Sequence, residues 1–217
     1  MAEPEAGTYF SHTRSDLVEA LGRHRPSSVV DVGCADGSTG LLLKQRFPGC
    51  HVAGVEPSGE AAETAAARLD EFYRSPVEQL PFERLAGRFD TMLLGDVLEH
   101  LVDPWATLGR LRQLLAPGGV VVATMPNVRN WRVVRDLALR GRWEYADAGI
   151  MDRTHLRFFT REGILGLFTQ AGLRVEHVEA VVPRRAAVVD RLTARLLTDL
   201  LAQKFLLRAR LGEGPDR

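Results

Sequence analysis

Lysine is almost missing from this chain: Lys44 and Lys204 are the only two among 28 basic residues. Arginine supplies the rest, and against 28 acidic residues the formal net charge is zero. A balanced chain has no overall field with which to gather nucleic acid or an anionic membrane, and neither partner is expected. Cysteine is equally scarce. Cys34 and Cys50 are too few for a disulfide framework, and Cys34 stands in a glycine-rich turn where a small side chain is reason enough for it. No apolar run is long enough to span a bilayer, and the opening MAEPEAGTYF is acidic and polar, unlike a secretion signal. The expected location is the cytoplasm. Internal repeats and low-complexity tracts are absent too, and 217 residues suit one well-buried core better than two.

What is present is alternation. Residues 11–25 read as a short amphipathic helix with Leu17, Val18 and Leu21 on one side. SSVVDVG (27–33) is a short apolar run closed by glycine, a buried-strand pattern. STGLLLKQRF follows as a helix, HVAGVEP (51–57) as a strand, SGEAAETAAARL as a helix and EFYR as a weak strand. RFDTMLLGD (88–96) is the fourth strand, and the helix over 103–119 has Asp103 as cap, Pro104 at its first position and Pro117-Gly118-Gly119 as its stop. Its Trp105, Leu108, Leu111 and Leu115 fall on one face. VVVATMPN (120–127) is a fifth strand, apolar enough to be covered on both sides. Beyond it come a helix from Thr160 to Gly172, a strand over 174–182, an arginine-rich helix over 184–202 and a strand over 204–210. The last two strands, so joined, are expected to run antiparallel and close the sheet edge.

Strands and helices alternating in this way make right-handed βαβ units and a doubly wound, mostly parallel sheet with helices on both faces. Such a sheet binds its ligand outside the carboxyl ends of the strands. VVDVGCADGSTG puts Gly33 and Gly37 between the first strand and its helix, a tight turn beside free helix N–H groups. Glu56 closes the second strand, where a carboxylate can accept from ribose hydroxyls. That much fits NAD, a flavin or an adenosyl sulfonium. The spacing Gly33-x-x-x-Gly37 differs from the G-x-G-x-x-G that cradles a pyrophosphate, which disfavours a dehydrogenase, and Asp31 puts an acid where an ammonium could be met.

Taken together, VVDVGCADG, GVEP, FDTMLLGDVLEHLVDP and LRQLLAPGGVVVATMPN resemble the class I S-adenosylmethionine-dependent methyltransferases over roughly residues 27–180. The resemblance implies a seven-stranded sheet with one antiparallel strand and S-adenosyl-L-methionine as cofactor. It implies that Gly33 and Gly37 face the methionine part, with Asp31 supporting that loop, and that Glu56 holds the ribose. Ser75, Val77 and Glu78 would lie by the adenine, Gly95 and Asp96 would line the methionyl side, and Tyr9 would reach the carboxylate. SPVEQLPF lacks the aspartate frequent at the adenine edge, for which Ser75 is a weaker substitute. The whole chain, 1–217, then forms one domain: an N-terminal helical segment (1–26), a cofactor-binding half (27–127), an acceptor-binding insert (128–160) and C-terminal helices and strands (161–217).

The insert is where the acceptor would bind, and its GIMDRTHLRFFT (149–160) is densely charged. A sulfonium methyl is already reactive, so catalysis consists of alignment plus proton removal from a hydroxyl. His155 is the candidate general base. Asp152 would orient its ring or bind a substrate hydroxyl, Arg153 and Arg157 would donate hydrogen bonds, and Asn127, Trp131, Trp143 and Tyr145 would line the acceptor site. Polar groups beside an aromatic plate suit a carbohydrate. MPNVRNW…DRTHLRFFT also resembles bacterial, notably actinobacterial, enzymes that methylate sugars, including precursors of methylmannose and methylglucose polysaccharides. The structural alternative is that Asp152 pairs with Arg153 while Phe158 and Phe159 anchor the loop. Glu99 and His100 form a second catalytic candidate, because some related O-methyltransferases hold a divalent ion such as Mg²⁺ there. A small-molecule acceptor (a quinone, a phenol) and a non-catalytic scaffold are the competing readings. The sequence leaves the oligomeric state open, with a homodimer among the options.

Overall fold

The alternation closes into a single seven-stranded sheet, seen in a computed structural model that describes residues 13–57 and 59–212. Tyr9 lies outside the described residues. The strands are β1 (Ser28–Val32), β2 (His51–Val55), β3 (Glu71–Tyr73), β4 (Phe89–Gly95), β5 (Leu115–Pro126), β6 (Leu173–Val181) and β7 (Lys204–Leu211). Their order across the sheet is β3-β2-β1-β4-β5-β7-β6. β7 is the one strand that runs against its neighbours, pairing antiparallel with both β5 and β6. The expected fold is therefore present: β6 and β7 pair antiparallel and close that end of the sheet, β7 beside β5 and β6 at the edge. β6 can stand there because its exposed Arg174, Glu176 and His177 mix charge into the edge, whereas Phe205, Leu206 and Leu207 of β7 are buried.

The helices are α1 (Ser15–Ala20), α2 (Ser38–Arg46), α3 (Gly59–Arg68), α4 (Phe82–Leu85), α5 (Pro104–Leu111), α6 (Trp131–Arg140), α7 (Arg161–Gln170), α8 (Arg184–Leu192) and α9 (Thr198–Leu201). Side chains alternate across a strand, so β4 sends Met92 and Leu94 to one face and Leu93 to the other. On the first face Leu108 and Leu111 of α5 and Phe168 of α7 complete the core; on the second, Leu17 of α1 and Leu43 of α2 do so.

Three helix expectations change. Asp103 caps α5 through its Oδ1, which accepts from the Ala106 N–H at 2.9 Å, but the helix gives way to a 3₁₀ turn at Arg112–Leu114. Leu115 already pairs with Phe89 in the sheet, so the ladder, not the glycines, ends the helix. Trp105 is 43% exposed and rests on Phe159, ring centroids 5.9 Å apart, while Leu108 and Leu111 are buried. The single helix expected over 184–202 is two, α8 and α9, because Ala194 and Arg195 adopt left-handed backbone (φ 49° and 65°) between them. Finally, α6 arises inside the insert, where no helix was expected. Asn130 caps it by accepting from the Arg132 N–H at 3.1 Å, and Gly141 ends it with φ 62°.

Candidate active site

The C-terminal ends of β1, β2, β4 and β5 open onto one rim. The turn after β1 is pinned across the sheet, since the Gly33 and Cys34 N–H groups both donate to the Val55 carbonyl, at 2.8 and 3.2 Å. Gly33 has φ 69°, and a side chain there would collide with Val97 at 2.8 Å. Gly37 (φ 78°) starts α2; a Cβ on it would press on the backbone of Ala65 at 3.2 Å, so its bareness also serves the packing of α2 on α3. Glu56 ends β2 in a buried position, and its Oε2 accepts from the Ala35 N–H at 3.1 Å. Its carboxylate is thereby fastened to the glycine loop.

Asp31 is buried, and its Oδ2 has no hydrogen-bond partner among the described residues. Burial pushes its carboxyl up to about 7, with the Glu56 charge adding to the rise and Arg14 opposing it. A carboxylate oxygen kept from water without a donor is costly unless a ligand completes it. This fits a cofactor that brings a cation to the loop. Past β4, Gly95 lies beside Arg14 and Asp96 adopts left-handed backbone (φ 56°), uncommon for a non-glycine. Arg14 organises this side: Nη1 donates to Asp96 Oδ2 at 2.9 Å, Nη2 to Thr124 Oγ1 at 2.7 Å and to Asp16 Oδ2 at 2.9 Å. Lys204 Nζ approaches Asp96 Oδ2 at 3.4 Å from β7. Neither Arg14 nor Lys204 was singled out in the sequence, because each joins the rim only through contacts some 80–110 positions away. Ser75, Val77 and Glu78 stand just past β3; Val77 is buried, and the Glu78 carbonyl accepts from Arg110 at 2.9 Å.

Next to this loop, a cavity of about 320 Å³ is walled by Asp96, Glu99, His100, Asp152, His155 and Lys204 together with Pro126, Gly149, Ile150 and Gln203. Glu99 is fully buried, and neither of its carboxylate oxygens has a partner among the described residues. Burial, helped by Asp96, raises its carboxyl well above the ordinary range. One ligand atom each from Glu99, His100 and His155 lies within 4.8 Å of the others. His155 Nδ1 is 3.0 Å from the Ile150 carbonyl and His100 Nδ1 is 3.2 Å from the Thr154 carbonyl. A carbonyl only accepts, so Nδ1 is the donor in each ring, and in a neutral ring the lone pair is on Nε2. Burial, and then the neighbouring His155, pulls the His100 imidazole below its usual value, which favours that neutral form. The loop is tied to this place through Glu99 itself, whose carbonyl accepts from the Leu156 and Arg157 N–H groups at 2.8 and 3.0 Å.

The other expected site residues divide. Asp152 lines the cavity, but its Oδ1 accepts from the Thr154 N–H and hydroxyl at 2.8 and 2.7 Å. Burial opposes its ionisation and these bonds win, holding it below the usual range. The Ile150 carbonyl, not Asp152, meets the His155 ring. Arg153 pairs with Asp147 and is exposed, so it neither donates into the cavity nor pairs with Asp152. Arg157 donates to the Val102 carbonyl at 2.5 Å and braces the loop. Asn127 is fully buried: Nδ2 donates to the Asp199 and Ala202 carbonyls at 2.7 and 3.0 Å, which makes it a structural tie. Trp131 sits exposed on α6. Trp143 and Tyr145 lie against Phe158, centroids 5.1 and 6.1 Å apart, and Phe158 is 6.3 Å from His155. The aromatic plate thus borders the histidines.

A sheet with only β7 reversed and a glycine loop facing an acid on β2 defines the class I methyltransferase fold. A family profile described as a methyltransferase domain matches residues 8–178, and the chain belongs to that family, whose methyl donor is S-adenosylmethionine. It is 31% identical over 152 residues to a trans-aconitate 2-methyltransferase of Methylobacterium radiotolerans, covering 66% of this chain and 57% of that one. It is 36% identical over 115 residues to a ubiquinone biosynthesis O-methyltransferase of Bradyrhizobium sp., covering 48% and 41%. A solved S-adenosylmethionine-dependent methyltransferase from Mesorhizobium loti shares the fold at TM-score 0.63 and 19% identity, over 92% of this chain and 98% of that one. The chain spans about half the length of the curated relatives it matches. No described helix is long and apolar enough to cross a membrane.

Proposed function

We propose that this chain is an S-adenosylmethionine-dependent O-methyltransferase that methylates a hydroxyl of a sugar or oligosaccharide, with a methylated mannose or glucose polysaccharide precursor as one such acceptor. One observation carries the reading: Glu99, His100 and His155 converge in a polar cavity beside the cofactor rim. Asp31 meets the cofactor's positive charge, Glu56 its ribose hydroxyls, and the Gly33 turn its methionyl part. Ser75, Val77, Glu78, Gly95 and Asp96 complete that side. The cofactor supplies an electrophilic methyl group; the chain holds the acceptor oxygen in line with it.

The carboxylate and two imidazoles fit a divalent cation, and an N,N,O donor set suits Mn²⁺ better than Mg²⁺. Bound there, such an ion would lower the acceptor hydroxyl's pKa. Without the ion, His155 takes the hydroxyl proton at Nε2 as the acceptor oxygen bonds to the methyl carbon and the carbon–sulfur bond breaks. The carbonyl of Ile150 keeps that Nε2 lone pair free. The rings of Trp143 and Tyr145, edge-on and tilted against Phe158 beside His155, offer apolar contact for a sugar ring, and Asp152 and Gln203 offer polar groups at its edge.

The acceptor has a second reading. The names of the two relatives favour a small metabolite such as a phenol, a quinol or trans-aconitate. A radiolabelled methyl-transfer screen over sugars, oligosaccharides, phenols and carboxylates, each with and without chelator, tests both. Labelled sugar ethers support the first reading; label found only on phenols or carboxylates replaces it with the second. Turnover abolished by chelator and restored by Mn²⁺ assigns the trio to the cation, and turnover indifferent to chelator leaves His155 as the base.

A further inference from the structure

The chain's zero net charge conceals a local excess. Residues 131–142 hold four arginines and one aspartate, and residues 184–197 repeat that ratio. The first segment is α6 and its exit; the second is α8 and the turn beyond it. Both leave the sheet at the end that carries the cavity: α6 follows β5, and α8 follows β6, whose Val181 pairs with Lys204 at the start of β7. The start of α6 lies against α9, which follows the second segment: Asn130 at the cap of α6 donates to the Ala202 carbonyl at 2.9 Å and Arg129 approaches Asp199 at 3.8 Å. The chain running on from each forms cavity wall, through Gly149 and Ile150 on one side and Gln203 and Lys204 on the other.

These segments also hold an unusual share of exposed apolar surface. Eight of the thirteen large apolar side chains exposed among the described residues fall within them, a concentration well beyond the scattered exposure expected of any soluble protein. α6 buries none of its residues. At helical spacing, Trp131, Val134, Leu137 and Ala138 share one side of α6; Arg132, Arg135 and Arg140 lie off it, with Leu139 among them and the Arg132 and Arg135 guanidinia 5.6 and 5.0 Å from the Trp131 ring centroid. Leu192 and Leu196, at 82% and 86% exposure, stand bare in the second segment. Asp136 engages Arg135 and Arg140, whereas Arg132, Arg184, Arg185 and Arg191 form no ion pair among the described residues. A helix with Trp and Leu along one side and Arg off it is the pattern that lies in a bilayer interface, and unpaired arginines complement anionic headgroups.

We propose that α6 and the α8–α9 segment dock this protein onto an anionic lipid surface, setting the mouth of the cavity against the membrane. The apolar side chains enter the headgroup region and the free arginines meet lipid phosphates. An acceptor carried on, or dissolved in, that surface would then reach His100 and His155 without crossing bulk water. Docking is a property of the apo chain and does not depend on the acceptor named above.

Co-sedimentation of the full chain with vesicles of phosphatidylcholine alone, or mixed equally with phosphatidylglycerol, tests this. Binding is expected to the anionic vesicles only, and to fall at least tenfold in 0.5 M NaCl. Leu137→Glu with Leu192→Glu, and separately Arg184→Glu with Arg185→Glu, should each lower it at least tenfold. Both variants should keep wild-type binding of S-adenosylhomocysteine, which reports an intact fold. Equal recovery with both vesicle types, or none with either, overturns the proposal. So does a wild-type dimer in sedimentation velocity that Leu137→Glu dissociates, because the face would then belong to a second copy of the chain.

Discussion

The imidazoles of His100 and His155 meet edge to face, 4.8 Å between ring centroids, and each turns its Nδ1 to a main-chain carbonyl of the insert loop. Two residues 55 positions apart in sequence therefore each bring a ring nitrogen within 4.8 Å of the same buried carboxylate, Glu99. This arrangement separates stability from function. A buried carboxyl without partners weakens the fold, so Glu99→Gln should leave the melting temperature unchanged or raise it. The same change should lower turnover about 100-fold or more if the trio holds a cation, the scale seen when metal-site support is removed. Differential scanning calorimetry and initial rates check the two halves. His155→Ala should lower turnover by a similar factor while the affinity for S-adenosylhomocysteine stays put.

Asp31 sets a pH dependence on the cofactor side. Its carboxyl is raised to about 7 in the fold, from near 4 in an unfolded chain. Between those values the folded state binds the extra proton, so stability without ligand falls as pH rises from about 4 to about 7. A cofactor ammonium instead rewards the ionised form, so its affinity should rise over the upper part of that window and level off above it. Isothermal titration with S-adenosylhomocysteine at pH 6, 7 and 8 measures this. Asp31→Asn should stabilise the apo protein at pH 8, weaken cofactor binding at least tenfold and flatten the pH profile. An unchanged profile in that variant would remove Asp31 from the site.

Asn127 was expected to touch the acceptor, and its geometry makes a different prediction. Two donated bonds and one accepted bond tie the end of β5 to the carbonyls of Asp199 and Ala202 and to the Arg129 N–H. Asn127→Ala removes the donor to the half-buried Asp199 carbonyl and one of the two donors to the Ala202 carbonyl, which Asn130 still serves, at a cost of about 1–3 kcal/mol. For a chain of this size that lowers the melting temperature by about 2–4 °C per kcal/mol. The KM for acceptor should be nearly unaffected in protein that remains folded, which steady-state kinetics at low temperature will show.

What the sequence reveals and what it hides follow from the range of the interactions. β1, β2, β4 and β5 were readable because a strand buried on both faces must be apolar throughout, and Gly33 because its turn is local. Asp103 and Thr160 were readable as caps for the same reason: a cap reaches only three residues along, to Ala106 and to Gly163. α6 was missed although Trp131, Val134, Leu137 and Ala138 recur at helical spacing, because Arg132, Arg135 and Arg140 and the adjacent valines Val133 and Val134 break up a stripe that no core contact reinforces. The break between α8 and α9 lay in the left-handed backbone of Ala194 and Arg195, residue types that carry no turn signal. Within the site, Glu99 with His100 and His155 alone were each visible as chemistry. Their meeting was not, because it depends on the Glu99 carbonyl binding the Leu156 and Arg157 N–H groups across the loop. The roles given to Arg153 and Arg157 failed for the opposite reason: a guanidinium finds a nearby carboxylate or carbonyl, here Asp147 and Val102, before it reaches a substrate.

The aromatic plate yields the prediction that most directly separates binding from chemistry. Trp143 packs edge-on against Phe158, and Phe158 lies 6.3 Å from the His155 ring, yet neither tryptophan nor phenylalanine offers a proton-transfer group. Under the proposed function their contribution is contact with the acceptor, equal in the ground state and in the transition state, and uniform binding of that kind appears in KM. An aromatic contact contributes about 0.5–1.5 kcal/mol beyond its buried area, so Trp143→Ala should raise the acceptor KM up to about tenfold with kcat within about twofold. Trp143→Phe, which keeps a ring against Phe158, should recover most of the loss. Initial rates over a range of acceptor concentration at saturating S-adenosylmethionine decide it. If kcat falls instead while KM holds, Phe158 acts by setting the His155 ring, and the plate is a positioning element for the histidines.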